Sequence, residues 1–276
     1  MRTKLILICD TKNEIDDQFA IAYALNSPEI ELLGVVSTQN IKRNGTNSVD
    51  IYQEEAVKIL KLADSKVPAF KGARRLFDEN NPEKSEGIDF IIKTALTYPL
   101  PTTHYKLIIA CTGPVTDIAN AVTIEPKIIE KVSFISLSGH KKNWFSRFSQ
   151  MESNFNADRA ASKIIRRLPL DITFIPTLGV THLIISNTVR LERKLRANNS
   201  PLNKYLAELI VWNRRRVARS KPYLIPLLGL WIMSDIAAIA VVKNIGIKKT
   251  VTHRHRIITS LSPKAILTDF YRSLSL

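Results

Sequence analysis

Glycine, cysteine and acidic residues are scarce in this chain of 276 residues. Its nine glycines are not clustered, which argues against the Gly-rich loop that cradles phosphate in transferases and phosphorolytic enzymes. Two cysteines exclude a disulfide framework and point to a reducing, cytoplasmic compartment. The 25 acids face 40 Lys and Arg, a formal charge of +15. Such a surplus implies anionic neighbours without choosing among nucleic acid, membrane surface and phosphorylated metabolites. Long hydrophobic runs are also rare. The apolar run in Met1–Cys9 is too short for a signal-peptide core. Tyr223–Val242 has the length of a membrane span but contains Pro226, Gly229 and a central Asp235. A lone charge at mid-bilayer costs roughly 2.5–3.5 kcal/mol, so this stretch reads as a buried loop followed by a core helix, and no membrane association is expected.

What remains is ordinary for a globular protein, with 45% hydrophobic and 24% charged residues. Short apolar runs alternate with amphipathic ones. Strands are predicted at Leu5–Cys9, Glu31–Thr38, Val67–Phe70, Tyr105–Cys111, Val132–Ser138 and Asp171–Pro176, with Arg254–Ser260 as a closing strand. Helices are predicted at Asp17–Leu25, Val49–Ala63, Glu86–Thr97, after Thr112-Gly113-Pro114, and at Asp158–Arg167; the last third reads as mostly helical. Strands apolar on both faces, alternating with helices, predict an α/β fold: a mostly parallel, Rossmann-like sheet flanked by helices, in a single domain over 1–276. Asp78–Lys84 reads as a surface loop.

Chemistry in such sheets sits beyond the carboxyl ends of the strands. Asp10, Glu14, Asp16 and Asp17 follow the first strand, Asn40 the second, Thr112 the fourth, and His140, Glu152 and Asn154 the fifth. Carboxylates this close repel unless a proton or a cation intervenes. A hard divalent cation with oxygen ligands would resolve the repulsion. So would a plain helix start, with Asn13 as cap and Asp16 and Asp17 at the positive end. Asp235, the only acid between Glu208 and Asp269, poses the same choice between a metal carboxylate and a helix cap.

ILICDTKNEIDDQFAIAYAL resembles the N-terminal signature of the inosine–uridine nucleoside hydrolase family, in particular a branch with a DTDTxNEIDDQFA-like motif. GVVSTQN, LIIACTGPVTDIANAV, ESNFNADRAAS and WIMSDIAAIA resemble further family segments, in the family's order. The resemblance implies a calcium-dependent nucleoside N-ribohydrolase acting in purine or pyrimidine salvage, as a dimer or tetramer. It makes Asp10 the catalytic base, and Asp10, Asp17, Asp235 and the Thr112 carbonyl the calcium ligands. It puts Asp16, Asn40, Glu152 and Asn154 on the ribose. An ungapped match would instead put Lys12 at the base position; the longer branch places Asp10 there and leaves Ile8 where the family has its first Asp. Ser234 stands where the family often has His, and Ser153 where it has Phe.

His140 and His182 are the histidines nearest the predicted rim, each readable as a structural or surface residue; His253 and His255, in THRHR, read as part of a solvated basic strand. Between Lys141 and Lys221, 17 Lys and Arg face 5 acids. A solvated helical face or an RNA-binding face would each account for this surplus, although only Trp212 and Tyr205 are near enough to stack on bases. Two functions follow: a nucleoside hydrolase, or a catalytically degenerate relative that binds ribosyl ligands or RNA through its basic face.

Overall fold

A computed structural model describes residues 2–97, 107–140, 152–220, 229–252 and 254–276. Its centre is an eight-stranded sheet. β1 (Thr3–Cys9), β2 (Ile30–Ser37), β3 (Ala69–Lys71), β4 (Leu107–Cys111), β5 (Val132–Leu137) and β6 (Ile172–Ile175) run parallel, joined by β10 (Arg256–Leu261). β9 (Ile247–Thr252) closes one edge antiparallel to β10. The order is β3-β2-β1-β4-β5-β6-β10-β9. A separate antiparallel pair joins β7 (Ile185–Asn187) to β8 (Leu230–Ile232).

Apolar runs such as LILIC are buried on both faces because helices cover both sides. One face carries α1 (Asp16–Leu25), α3 (Ser48–Leu62), α8 (Thr188–Ala197), α9 (Pro201–Ser220), α10 (Ile236–Val242) and α11 (Pro263–Ser273). The other carries α4 (Glu86–Thr97), α5 (Thr116–Ile124) and α7 (Arg159–Arg167). Two short helices, α2 (Ile41–Asn44) and α6 (Ser153–Ala157), sit beyond the strand ends. α1 is buried through Asp16–Ala24, because α9 and α10 cover the side turned away from the sheet.

Several expectations are corrected. Among its described residues the last third holds four strands, three of them short or polar. β9, IKKTVT, is mostly exposed and carries lysines, a common edge-strand device, so it shows no apolar run. His255 is buried, hydrogen-bonded to the carbonyls of Arg166 and Leu170 and edge-on to the Phe174 ring; its charged neighbours disguise a core residue. His253 and the first part of the Tyr223–Val242 run lie outside the described residues. The rest of that run is β8 followed by buried α10, and among the described residues no helix is long and apolar enough to cross a membrane. Cys9 and Cys111 are free and sit on neighbouring strands. Cys111 pairs with Ile8, one residue before Cys9, so the two thiols point to opposite faces and enter different cores.

Candidate active site

The chain order reverses at β1: β2 and β3 lie to one side, β4 and β5 to the other. The strand ends therefore diverge at the β1–β4 boundary and open a crevice, the usual ligand position in such sheets. Asp10 follows β1 and Thr112 follows β4, linked by the Thr112 N–H donating to the Ile8 carbonyl at 2.9 Å. A cavity of about 120 Å³ opens there, lined among others by Asp10, Asn13, Glu14, Asp16, Asp17 and Asp235. The volume is below the ~300–1,000 Å³ of complete small-molecule pockets, so it accommodates part of a ligand.

Four acids in this pocket are buried: Asp10 (3% exposed), Asp16 (5%), Asp17 (2%) and Asp235 (6%). Asp16 and Asp17 start α1 and Asp235 immediately precedes α10, so the positive ends of two helices face the cluster. The Asp235 N–H donates to Asp16 Oδ2 at 3.4 Å, joining the two helix starts across 219 residues. Asn13 is not the cap of α1. That position is Ile15, without a side-chain bond, and the Asn13 amide donates instead to Asp10 Oδ2 at 3.0 Å. The Asn40 amide donates to the same oxygen at 2.7 Å. Asp235 occupies the cap position of α10 but makes no side-chain cap bond.

Burial pushes the Asp10 carboxyl up to about 7, with the Asp16 charge adding to it and the two amides pulling against it. Burial likewise raises Asp16, helped by Glu14; Asp17, helped by Asp10; and Asp235, helped by Asp16. Thr112 Oγ1 donates to Asp17 Oδ1 at 2.6 Å. Gly113 is required here: a Cβ would lie 2.9 Å from Asp10 Oδ1 and 2.7 Å from the Thr38 methyl.

The donor set of carboxylates and a carbonyl is that of a hard cation. Its members line one pocket, yet among the described residues no three His, Cys, Asp or Glu side chains are gathered into an arrangement that would hold a metal ion. Hydrogen bonds explain the spacing. Asp17 is turned to Thr112, Asp10 to Asn13 and Asn40, and the Thr112 carbonyl accepts from the Asn154 amide at 2.7 Å. Burial, with carboxylate repulsion added to it, raises all four acids, and a bound divalent cation would offset both; Asn40 Oδ1 is a buried acceptor with no hydrogen-bond partner among the described residues. On this chemistry the residues fit the ion.

A family model described as inosine-uridine preferring nucleoside hydrolase matches residues 5–264. The chain belongs to that family. It is 28% identical over 227 residues to a probable uridine nucleosidase of Arabidopsis thaliana, covering 74% of this chain and 68% of the relative. It is 25% identical over 230 residues to an inosine-uridine preferring nucleoside hydrolase of Crithidia fasciculata, covering 76% and 70%. The solved structure of an inosine-guanosine nucleoside hydrolase superimposes with a TM-score of 0.76 at 16% identity over 99% of both chains, the same fold.

Within this family member the remaining predicted residues take distinct positions. Lys12 does not line the pocket: its ammonium lies 3.7 Å from Glu55. Ile8 is buried in the core opposite Cys111. Glu152 lines the pocket while capping α6, accepting from the N–H groups of Gly139, Asn154 and Phe155 at 3.0–3.1 Å; burial pushes its carboxyl up against those bonds. The Asn154 amide bridges the carbonyls of Thr112 and Leu137, the ends of β4 and β5. Neither histidine near the rim lines the pocket. His140 Nδ1 meets Thr177 Oγ1 at 3.1 Å, and His182 Nδ1 accepts from the Gly179 N–H at 2.8 Å. Ser234, bonded by the Thr181 hydroxyl, and Ser153 do line it. The sequence reading assigned Asn13 no role beyond a possible cap and assigned Gly113 and Arg216 no site role; the Arg216 guanidinium in α9 donates to the Asn13 carbonyl at 3.1 Å and braces the acidic loop. Only the position of Gly113 beside the predicted metal carbonyl was a usable signal.

Proposed function

We propose that this chain hydrolyses the N-glycosidic bond of ribonucleosides, releasing ribose and free base, with calcium as its cofactor and nucleoside salvage as its role. The observation that carries the reading is the convergence of Asp10, Asp16, Asp17 and Asp235 on one pocket at the β1–β4 crevice of a family member. Asp10, Asp17, Asp235 and the Thr112 carbonyl would hold the ion. When bound, such an ion makes water a better nucleophile at neutral pH.

The chain's own residues supply the rest. Asp10 takes the proton of the attacking water at its carboxylate, held in position by the Asn13 and Asn40 amides. General-base catalysis of this kind contributes typically ~10²–10⁴-fold. The transition state is oxocarbenium-like, and the buried carboxylates present negative charge to it in a fixed orientation. Asp16, Asn40, Glu152 and Asn154 orient the ribose hydroxyls. The Asn154 amide N–H groups are committed to the strand ends, so its contribution is Oδ1, an acceptor. Water attacks directly, without a covalent ribosyl-enzyme intermediate.

The test is release of reducing sugar from inosine, uridine, adenosine and cytidine, with calcium and with chelator. Calcium-dependent release from at least one nucleoside supports the reading. No release from any of them by folded protein contradicts it and favours the degenerate binder.

A further inference from the structure

A second cavity runs along α7 and shares no lining residue with the first pocket among the described residues. It has a volume of about 620 Å³ and contains five cations: Arg159, Lys163, Arg166 and Arg167 of α7, and Arg254 just before β10. Among the described residues no acidic side chain lines it. We infer that this groove binds the polyphosphate group of a nucleoside triphosphate.

The groove follows from how α7 folds. Asp158 caps the helix and accepts from the Ala161 N–H, the Phe77 N–H and the Thr116 hydroxyl, which fixes the helix start. Ala161, Ser162, Ile164 and Ile165 then face the core. This turns the basic residues outward along one side, and the nine residues of helix from Arg159 to Arg167 extend them over about 12 Å. Several of these cations are already held in place. The Arg159 Nε donates to Asn156 Oδ1 at 2.9 Å, and the Arg254 guanidinium donates to the Arg167 carbonyl at 3.0 Å. Arg166 lies over the Phe155 ring, 5.6 Å from its centroid, and burial pushes its guanidinium down. Lys163 is exposed and makes no hydrogen bond or ion pair with the described residues.

Arg167 is ion-paired with Glu79, which offsets one of the five charges; the other cations around the concavity repel one another, and a multiply charged anion reduces that repulsion. The volume lies within the ~300–1,000 Å³ range of small-ligand pockets, enough for a whole nucleotide. Phe155, the aromatic in the lining, is buried beneath Arg166. Among the described residues the groove thus offers no exposed ring for the base stacking by which single-stranded nucleic acids are held, and its cations match phosphate.

The experiment is titration calorimetry of the full chain, in chelator, with sodium tripolyphosphate, ATP and an eight-residue oligouridylate. Tripolyphosphate has no ribose for the nucleoside pocket, so its binding reports on the groove alone. The expected result is one-to-one binding of tripolyphosphate and ATP. Lys163→Glu and Arg159→Glu should each weaken it at least about tenfold, the factor carried by one charge-assisted hydrogen bond, and Lys163→Gln, a milder change, should weaken it in the same direction. Arg215→Glu, on exposed α9, should leave it unchanged. Absence of tripolyphosphate binding would overturn the inference. So would equal weakening by Arg215→Glu, which would mean that net charge alone matters. Oligouridylate binding tighter than ATP through the same residues would replace the nucleotide with RNA.

Discussion

Replacing Asp117 by asparagine should stabilise the protein at alkaline pH and do far less in acid. Asp117 lies in the first turn of α5, fully buried and outside the candidate active site. One carboxylate oxygen accepts from the Ala73 N–H at 2.6 Å; the other has no hydrogen-bond partner. Burial drives the carboxyl up to about 6, against the weaker pull of the nearby Thr38 hydroxyl and the Ala73 N–H. The folded state then holds more protons than the unfolded chain between pH 4 and 6, so stability falls as pH rises through that window. With an unfolded value near 3.9, the raised carboxyl costs about 3 kcal/mol of stability at pH 8, where it is ionised, and about 1 kcal/mol at pH 4.5, where the folded state keeps its proton and the unfolded chain does not. Asparagine keeps the shape and the bond to Ala73 and abolishes that cost. The stabilisation by Asp117→Asn should therefore be about 2 kcal/mol larger at pH 8 than at pH 4.5. Urea unfolding at both pH values, in chelator, measures it. An equal effect at the two pH values, or destabilisation that grows with pH, would refute the reasoning.

Other consequences are as direct. Gly113→Ala forces a methyl against Asp10 and Thr38; it should cost about 1–3 kcal/mol of stability by overpacking and reduce ribose release, checked by thermal melts and the sugar assay. Calcium at a hundredfold excess over its dissociation constant should stabilise the protein by ~2.7 kcal/mol, and Asp235→Asn should shrink that shift; an unchanged melting temperature on adding calcium would count against the assigned ligands. Cys9 and Cys111, buried on opposite faces with burial pushing both thiols up, should react with a thiol reagent only after unfolding.

Much of the frame was legible because it depends on local pattern. β1, β2, β4, β5 and β6 are predominantly apolar runs between helical stretches, as parallel strands covered on both faces must be. β9 was illegible because an edge strand with one solvated side has no such run, and β7 and β8 have three residues each. Within the site, the density of acids between Asp10 and Asp17 was visible on inspection. Their meeting with Asp235, more than two hundred residues later, was not, since no local rule links two helix starts across a sheet. Resemblance to the family supplied that pairing, and the Asp235 N–H bond to Asp16 realises it. The reading of Asn13 as a cap fails because α1 begins only at Asp16, three residues on, and the Asn13 amide donates to Asp10 instead. His255 was misread because Arg254 and Arg256 made its segment look solvated.

The central claim is that Asp10 is the base of a nucleoside-hydrolysing site. The direct measurement compares initial rates of ribose release by the unaltered protein and by Asp10→Ala, at saturating calcium, with circular dichroism confirming that both are folded. The account predicts release by the unaltered protein and a loss of ~10²–10⁴-fold in the variant. Release that survives the substitution at an unchanged rate would contradict it.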